Sequence, residues 1–295
     1  MKIVVTGGAG FIGTRLCNRL LKLKHEVVLI DEKISYSVKE SKINFLRADI
    51  SNPKYNNEII KAIKGSECVF HLAAQTSVPE SIEKPLYYDT VNTFGTLNIL
   101  ELCRHTCINK IVFSSSSAVY GDTNLFPTTE HSTKQPLSPY GLQKLTGEEY
   151  IKLYSTIYGI KGISLRYFNV FGQGMPTRGS YCGVVGAFLG QRKEGKSLTI
   201  FGNGENSRDF VHVDDVVEAN IKAWYKINKF DGESFNVGSG QTFSVNKIAE
   251  ALGGARDYLP PRFEPIKSLA DITKIKKSLE WEPTENVLEW INNYI

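Results

Sequence analysis

The sequence predicts an α/β protein whose larger part is a doubly wound parallel sheet, followed by a smaller, mixed C-terminal domain. Short apolar, β-branched runs alternate with helical stretches through the first 165 residues. A glycine-rich turn, Gly7 to Gly13, directly follows the first of these runs. Between residues 172 and 208 glycines and isolated charged residues replace the regular alternation. The alternating part is typical of a sheet covered by helices on both faces. The later part is typical of a mixed domain.

Each predicted element follows from its hydrophobic pattern. Strands are predicted at residues 3–5, 27–30, 45–46, 68–72, 110–113 and 162–167, where mostly apolar runs indicate burial on both faces. Helices are predicted at residues 11–23, 87–104 and 140–158. Strand-like runs return at 210–213 and 233–237, and the tail from residue 241 is predicted as a helix, a Pro260-Pro261 turn and a final helix.

These elements predict two domains. Residues 1–165 form the sheet domain, to which residues 209–238 return. Residues 166–208 and 239–295 are predicted to form the second, smaller domain. Crossover connections between the parallel strands are expected to be right-handed.

Composition and charge exclude several classes of protein. The 295 residues are 41% hydrophobic and 22% charged, as in ordinary globular proteins. Lys and Arg exceed Asp and Glu by 35 − 31 = 4 without a clustered basic run, which argues against nucleic-acid binding. No apolar stretch reaches the ~18–20 residues of a membrane span, and the strand-like run from Lys2 leaves no room for a secretory leader. The five scattered cysteines predict free thiols, no metal site and a cytoplasmic location.

The turn Gly7-Gly8-Ala9-Gly10-Phe11-Ile12-Gly13 lies between the first predicted strand and the first predicted helix. Gly7 permits the tight turn, Gly10 lets the backbone approach a pyrophosphate, and Gly13 allows the helix to pack closely on the sheet. The helix N-terminus offers unpaired N–H groups to the anion. Asp31 ends the second strand 18 residues after Gly13, where a carboxylate binds the adenosine ribose and repels a 2′-phosphate. The sequence thus predicts a Rossmann-like domain that binds NAD rather than NADP.

Tyr140 and Lys144 share one face of a predicted helix, since residues four apart are neighbours there. A tyrosine with a pKa near ~10 is a poor base at neutral pH, and we expect the adjacent ammonium and an oxidised nicotinamide to favour the phenolate. A pKa shift of about 3 units corresponds to roughly 4 kcal/mol. The serines at 114–117 end a predicted buried strand but have poor strand propensity, so a functional role is favoured over a serine-rich turn.

Five motifs resemble, in order, those of the extended short-chain dehydrogenase/reductase family: Thr6 to Gly13, His71-Leu72-Ala73-Ala74, the serine segment through Tyr120-Gly121, the Tyr140/Lys144 pair, and Arg166-Tyr167-Phe168-Asn169. Within this family the chain is most similar to the UDP-glucose/UDP-N-acetylglucosamine 4-epimerases, from residue 2 to about 292. The resemblance implies a catalytic triad of Ser116, Tyr140 and Lys144. In that family the tyrosine takes the proton of the sugar 4-hydroxyl, hydride passes to tightly held NAD⁺, and the 4-keto sugar receives it back on its other face.

The resemblance also implies which residues contact cofactor and substrate. Besides Tyr140 and Lys144, the cofactor residues are Gly7, Gly10, Phe11, Ile12, Gly13, Asp31, Asp49, Ile50, Leu72, Ala73, Ala74, Asn92 and Phe168. Those of the UDP-sugar are Val78, Ser116, Asn169, Thr199, Phe201, Ser268 and two arginines on the diphosphate, Arg208 and Arg262. The helices at 87–104 and 140–158 match the family's four-helix dimer interface, so a homodimer is expected.

The sequence departs from the family pattern in four places. A cofactor-loop lysine of some epimerases is Thr76 here, Arg262-Phe263-Glu264 lacks the usual turn residues, and the segment 254–260 is several residues short. Ser268 stands where members restricted to glucose and galactose carry a bulky tyrosine. Because excluding a 2-acetamido group takes steric bulk, Ser268 indicates tolerance of UDP-N-acetylhexosamines.

Two other functions remain open from the residues. Nucleotide-sugar 4,6-dehydratases and decarboxylases of the family use acidic residues where this chain has Ser117 and Ala118. A non-catalytic NAD-binding sensor on the same scaffold would not need the general base that Tyr140 and Lys144 provide. The residues therefore favour a 4-epimerase over both alternatives.

Overall fold

A seven-stranded parallel sheet forms the centre of the protein. The computed structural model describes residues 1–33, 43–179, 182–262 and 264–294. Its strands are β1 (Lys2–Thr6), β2 (Glu26–Asp31), β3 (Ile43–Arg47), β4 (Cys68–His71), β5 (Lys110–Ser116), β6 (Lys161–Tyr167), β7 (Asn169–Phe171), β8 (Leu198–Phe201), β9 (Ser207–Arg208), β10 (Phe210–His212), β11 (Glu233–Val237), β12 (Phe243–Ser244) and β13 (Arg256–Leu259). The sheet has the order β3-β2-β1-β4-β5-β6-β11, and β7-β10, β9-β12 and β8-β13 form separate pairs. Since the order reverses between β1 and β4, ligands are expected at the carboxyl ends of these strands.

Helices cover both faces of the sheet and alternate with short strands in the second part of the chain. They are α1 (Phe11–Lys22), α2 (Asn56–Ile63), α3 (Val78–Glu83), α4 (Pro85–Asp89), α5 (Gly95–Thr106), α6 (Pro139–Tyr158), α7 (Val184–Lys193), α8 (Val213–Lys226), α9 (Val245–Leu252), α10 (Thr273–Leu279) and α11 (Val287–Tyr294). A π-helical turn, Thr90–Phe94, joins α4 to α5. Short 3-10 helices lie at Pro53–Tyr55, Ser117–Val119 and Ile227–Lys229. Within the described ranges, none of the helices has the length and apolar character that crossing a membrane requires.

The sheet is buried on both faces, which explains its mostly apolar strands. Along β1, Ile3 and Val5 belong to one core with Leu16 of α1, whereas Val4 belongs to the core on the other side. Ile151 of α6 lies in that second core. Apolar packing therefore holds α6 against the sheet and leaves its N-terminal turns to carry polar groups towards the strand ends.

A third apolar core lies between α7, β8, α9 and α11. It contains Val185, Phe188, Leu198, Ile200, Ile248, Leu252, Val287 and Ile291. β8 pairs in parallel with β13, so that Thr199 lies opposite Asp257 and Phe201 opposite Leu259. This core holds the residues that follow β8 at a fixed place beside the sheet.

The structure confirms the predicted α/β fold class and differs from the sequence prediction in several elements. The helix predicted at 87–104 is interrupted by the π-helical turn. The strand-like run predicted at 210–213 ends at His212, and α8, a helix that was not predicted, begins at Val213. His212 Nδ1 accepts the Asp214 N–H at 3.3 Å, and Asp214 and Asp215 favour the positive end of that helix. β13 and α10 were missed as well, because such short elements show little periodicity.

Candidate active site

The glycine turn before α1 leaves no room for side chains. Gly7 has a φ of 70°, and a Cβ atom there would lie 2.6 Å from the backbone of the loop after β4. A Cβ atom on Gly13 would lie 2.2 Å from the Gly7 carbonyl oxygen. Gly10 is the N-cap of α1, and no side chain of the described residues caps it. The N–H groups of the first turn, which begins at Phe11 and Ile12, are therefore available for an anion such as a pyrophosphate.

Carboxylates follow the ends of β2 and β3 beside this turn. Asp31 accepts hydrogen bonds of 3.0 Å from the backbone N–H groups of Ala9 and Lys33. Burial, and then repulsion by Asp49 and Asp31, raises the pKa of Glu32. A 2′-phosphate would bring more negative charge to this group, so the arrangement favours NAD over NADP.

The loop after β3 is held in place by its own hydrogen bonds. The Asp49 carboxylate accepts the N–H and the hydroxyl of Ser51 at 2.8 and 2.7 Å. Ile50 is buried, and its carbonyl accepts Nδ2 of Asn98 at 2.7 Å. Asp49 and Ile50, both predicted to contact the cofactor, thus have fixed positions.

A buried chain of hydrogen bonds ties the loop after β4 to β1. Thr6 Oγ1 lies 2.7 Å from His71 Nδ1 and accepts the Ala73 N–H at 3.3 Å. His71 Nε2 lies 3.0 Å from Thr96 Oγ1. Burial, and then the charge of Lys144, lowers the pKa of His71 to about 3, so its ring is neutral at physiological pH. These bonds fix the start of the loop that carries Leu72, Ala73 and Ala74.

Tyr140 and Lys144 lie on α6 beside the carboxyl end of β5. Ser138 caps this helix by accepting a backbone N–H at 3.1 Å, and a proline follows it in the first turn. Ser116 lies close enough to the Tyr140 phenol to lower its pKa. Lys144 Nζ donates to the Ser114 carbonyl at 2.7 Å. The structure therefore brings together the three residues that the sequence predicts to be catalytic.

The serine run at the end of β5 is explained by its partners. The Ser114 hydroxyl lies 3.0 Å from the Tyr167 hydroxyl. Ser115 donates to Oε1 of Glu148 at 2.5 Å. Ser116, besides its interaction with Tyr140, caps the following 3-10 helix. These side-chain hydrogen bonds compensate for the poor strand propensity of serine.

Glu148 and Arg166 support this site, and sequence reasoning assigned neither a role. Arg166 Nε and Nη2 donate to the two carboxylate oxygens of Glu148 at 2.8 and 2.6 Å, and the side chains are only 3% and 4% exposed. Arg166 also donates to the Tyr120 hydroxyl at 2.8 Å. One pattern in the sequence could have indicated the role of Glu148: the four-residue spacing of Tyr140 and Lys144 continues to it, which places all three on one helix face.

Burial is the largest influence on the protonation of the Tyr140/Lys144 pair. Burial raises the pKa of Tyr140, and the hydrogen bond with Ser116 lowers it by less. Burial lowers the pKa of Lys144 from 10.5 to about 7, and the charge of Glu148 opposes this shift. The sequence argument expected the ammonium to stabilise the phenolate. The directions differ because that argument left out the desolvation of both groups.

The predicted sugar-side residues are brought together only in part. Asn169 begins β7, directly after the buried Phe168, which is predicted to contact the cofactor. Asn169 Nδ2 donates to the Asp209 carbonyl at 3.0 Å and lies 3.4 Å from the Ser268 hydroxyl. The same hydroxyl accepts the Asp209 N–H at 3.2 Å. Val78 begins α3, a helix that contacts the start of α6.

Four other residues predicted to contact the UDP-sugar lie later in the chain: Thr199, Phe201, Arg208 and Arg262. The Arg262 guanidinium carbon lies 3.2 Å from the centroid of the Phe201 ring. Arg208 is paired with Glu264 at 3.1 Å, and Thr199 shares two hydrogen bonds with a glutamine of α7. None of the four is hydrogen-bonded to the predicted catalytic residues within the described part of the chain. Residues 262–264 depart from the family pattern, and residue 263 among them lies outside the described residues.

Comparison with known proteins agrees with this geometry. The family model described as "NAD dependent epimerase/dehydratase family" matches residues 3–238. A putative UDP-glucose 4-epimerase of Methanocaldococcus jannaschii is 38% identical over 99% of this chain and 97% of its own length. The crystal structure of a UDP-glucose 4-epimerase with UDP-glucose from Thermotoga maritima has a TM-score of 0.92 at 37% identity, over 99% of this chain and 96% of that one. A UDP-N-acetylglucosamine 4-epimerase of Methanobrevibacter ruminantium M1, solved with UDP-N-acetylmuramic acid, has a TM-score of 0.90 at 31% identity, over 100% and 99%. The chain therefore belongs to the NAD dependent epimerase/dehydratase family.

Proposed function

We propose that the protein is an NAD-dependent epimerase that inverts carbon 4 of a UDP-hexose through a transient 4-keto sugar. UDP-glucose and UDP-galactose are the proposed pair of substrates. The observation that carries the proposal is the arrangement of the buried Tyr140 and Lys144 beside Ser116 at the carboxyl end of β5. Relatives named UDP-glucose 4-epimerase, which match nearly the whole chain, support it.

The glycine turn and its surroundings fit a dinucleotide. A Cβ atom on Gly7 or Gly13 would collide with the backbone that forms the turn. The N-terminus of α1, which no described side chain caps, would bind the pyrophosphate of the dinucleotide. Asp31 would bind the adenosine ribose, while the loop at 72–74, Asn92 and Phe168 would line the nicotinamide side. When bound, NAD⁺ supplies an acceptor for the hydride of carbon 4 and the means to return it.

Tyr140 and Ser116 would move the proton of the sugar 4-hydroxyl. The phenolate form of Tyr140 would accept this proton, directly or through the Ser116 hydroxyl, and so become the neutral phenol. Lys144 Nζ lies 6.0 Å from the centre of the Tyr140 ring. Because the pKa of Lys144 is about 7, it can be protonated when the phenolate forms, which leaves the buried pair with no net charge.

The later segments, residues 166–208 and 239–295, would form the nucleotide-sugar domain beside the sheet domain. Asn169 and Val78 would lie at the sugar end, Thr199 and Phe201 at the uracil. The guanidinium groups of Arg208 and Arg262 would bind the diphosphate, to which their planar geometry is suited.

We also propose that the site accepts UDP-N-acetylhexosamines. Ser268 contacts Asn169, the residue predicted to begin the sugar site, at 3.4 Å. A small side chain at this place leaves room for a 2-acetamido group. A UDP-N-acetylglucosamine 4-epimerase among the similar structures supports this reading.

A homodimer built on α4, α5 and α6 is a further part of the proposal. Apolar side chains of this surface are exposed: Leu86 by 83%, Leu142 by 55%, Leu153 by 47% and Ile157 by 58%. The three on α6 share one helical face. Exposed apolar patches of this kind are typical of protein interfaces, and light scattering tests the dimer.

All five cysteines are free thiols, which is consistent with a reducing, cytoplasmic location.

The alternative activities lack their residues. Ser117 and Ala118, in the 3-10 helix after β5, offer no carboxylate for the proton transfers of a dehydratase. A sensor that only binds NAD would not need the buried Tyr140/Lys144 pair. The sequence features therefore favour epimerisation.

Product analysis tests the proposed function. The protein is incubated with UDP-galactose or UDP-N-acetylglucosamine without added NADH, and the nucleotide sugars are separated and quantified. We expect interconversion of each C4 pair, because the reaction is redox-neutral overall. Tyr140→Phe is expected to abolish nearly all turnover and retain NAD, since only the proton-transferring group is lost. Failure to interconvert any UDP-hexose while NAD stays bound would indicate the sensor.

A further inference from the structure

The Asn92 side chain, in the π-helical turn, holds the loop after β4. Its Oδ1 accepts the Gln75 N–H at 2.8 Å, and its Nδ2 donates to the Gln75 carbonyl at 3.0 Å. Thr96 Oγ1 donates to the Asn92 carbonyl at 2.6 Å. Asn92 is only 3% exposed. Since π-helical turns inside α-helices are frequent at functional sites, this one draws attention to what its central residue contacts.

The remaining N–H of the Asn92 amide has a partner on α6. Its Nδ2 also donates to Oε1 of Gln143 at 2.9 Å. Gln143 is 5% exposed and directly precedes Lys144. Its side chain leaves the helix about 100° round from that of Lys144, so it reaches the π-helical turn instead of the serines of β5. One buried amide pair therefore joins the helix of the predicted catalytic residues to the loop at 72–75.

We propose that Gln143 is a positioning residue that holds the cofactor-lining loop at 72–75 in register with Tyr140 and Lys144. It acts through Asn92, because that side chain bonds both backbone groups of Gln75. The inference rests on the proposed function only in taking this loop as part of the NAD site.

Removal of the Gln143 acceptor has a defined consequence. One N–H of the buried Asn92 amide then has no partner, and a buried donor without a partner is costly. The amide is then held less firmly, so its two hydrogen bonds to the Gln75 backbone open more often. Two results follow: faster exchange of the Gln75 amide hydrogen and faster release of NAD.

The test uses Gln143→Leu, with Gln143→Met as a second apolar variant should the first fail to fold. Thr146→Val is the matched control, since among the described residues its hydroxyl bonds only the Leu142 carbonyl of the same helix. Hydrogen–deuterium exchange of peptides that cover residues 72–76 and the rate of NAD release from the purified holoenzyme are measured. We expect each rate to rise at least about tenfold in the Gln143 variants and less than about twofold in the control.

A double-mutant cycle with Asn92→Ala separates positioning from general loosening. If Gln143 acts through Asn92, Gln143→Leu changes NAD release by less than about twofold in the Asn92→Ala background. Full additivity of the two changes, or unchanged exchange in the single Gln143 variants, overturns the proposal. Both readouts are independent of turnover, so failure of the protein to epimerise a UDP-hexose would overturn the proposed function and leave this inference to its own test.

Discussion

Replacement of Lys144 by methionine is expected to change the pH dependence of stability by a calculable amount. The lysine is 4% exposed, and burial lowers its pKa from 10.5 to about 7. Folding therefore releases a proton from this group between these two pH values. The unfolded chain binds more protons there, so the stability of the wild-type protein rises with pH across the interval. Lys144→Met removes this dependence.

The magnitude follows from the two pKa values. The reference is a pH above both pKa values, where the lysine is neutral in the folded and the unfolded chain. Relative to it, the shifted pKa lowers the unfolding free energy by about 5 kcal/mol at pH 6, where the lysine is charged in both states, and by about 2 kcal/mol at pH 9. From pH 6 to pH 9, the unfolding free energy of the wild type should thus rise by about 3 kcal/mol relative to that of Lys144→Met. The packing of methionine and the lost hydrogen bond to Ser114 contribute to both pH values and cancel in this comparison.

Equilibrium urea unfolding, followed by circular dichroism at pH 6 and pH 9, measures this change. Both proteins are freed of nucleotide first, since bound NAD would stabilise them unequally. We expect Lys144→Met to lose epimerase activity while its stability gain is largest at pH 6. A gap that stays constant within about 0.5 kcal/mol would show that Lys144 keeps its charge on folding, and the burial argument would then be wrong.

Three further outcomes are expected. Glu148→Gln should lower the unfolding free energy by about 3–5 kcal/mol in urea titrations, because it leaves the Arg166 charge buried without its partner; Asp231→Asn, which breaks an ion pair whose carboxylate is 66% exposed, should cost less than about 1 kcal/mol. Gly13→Ala should lose bound NAD, measured after denaturation, since its Cβ atom would lie 2.2 Å from a carbonyl oxygen; full NAD content would contradict the close packing. Ser268→Tyr should reduce turnover of UDP-N-acetylglucosamine far more than that of UDP-glucose in product assays, and equal effects would refute the role of this position in selecting between the two sugars.

Local patterns in the sequence were sufficient for the fold class, the family and the glycine turn. The alternation of apolar strands and helices reflects a sheet buried on both faces, and the structure confirms it. Gly7, Gly10 and Gly13 lie within seven consecutive residues, so their spacing alone predicts the geometry of the turn. Tyr140 and Lys144 are related by one helical turn, which likewise places them together without tertiary information. Their roles stay predictions until the variants are measured.

The tertiary structure decided what the chain brings together from distant positions and what it removes from water. Glu148 meets Arg166, and Asn92 meets Gln143, only after the sheet and its helices have packed. The π-helical turn that presents Asn92 has no sequence signature of its own. Burial likewise depends on the whole fold, and it lowers the pKa of Lys144 and raises that of Tyr140 against the sequence expectation. Spacing along a helix is a local property, whereas desolvation and long-range pairing belong to the folded molecule.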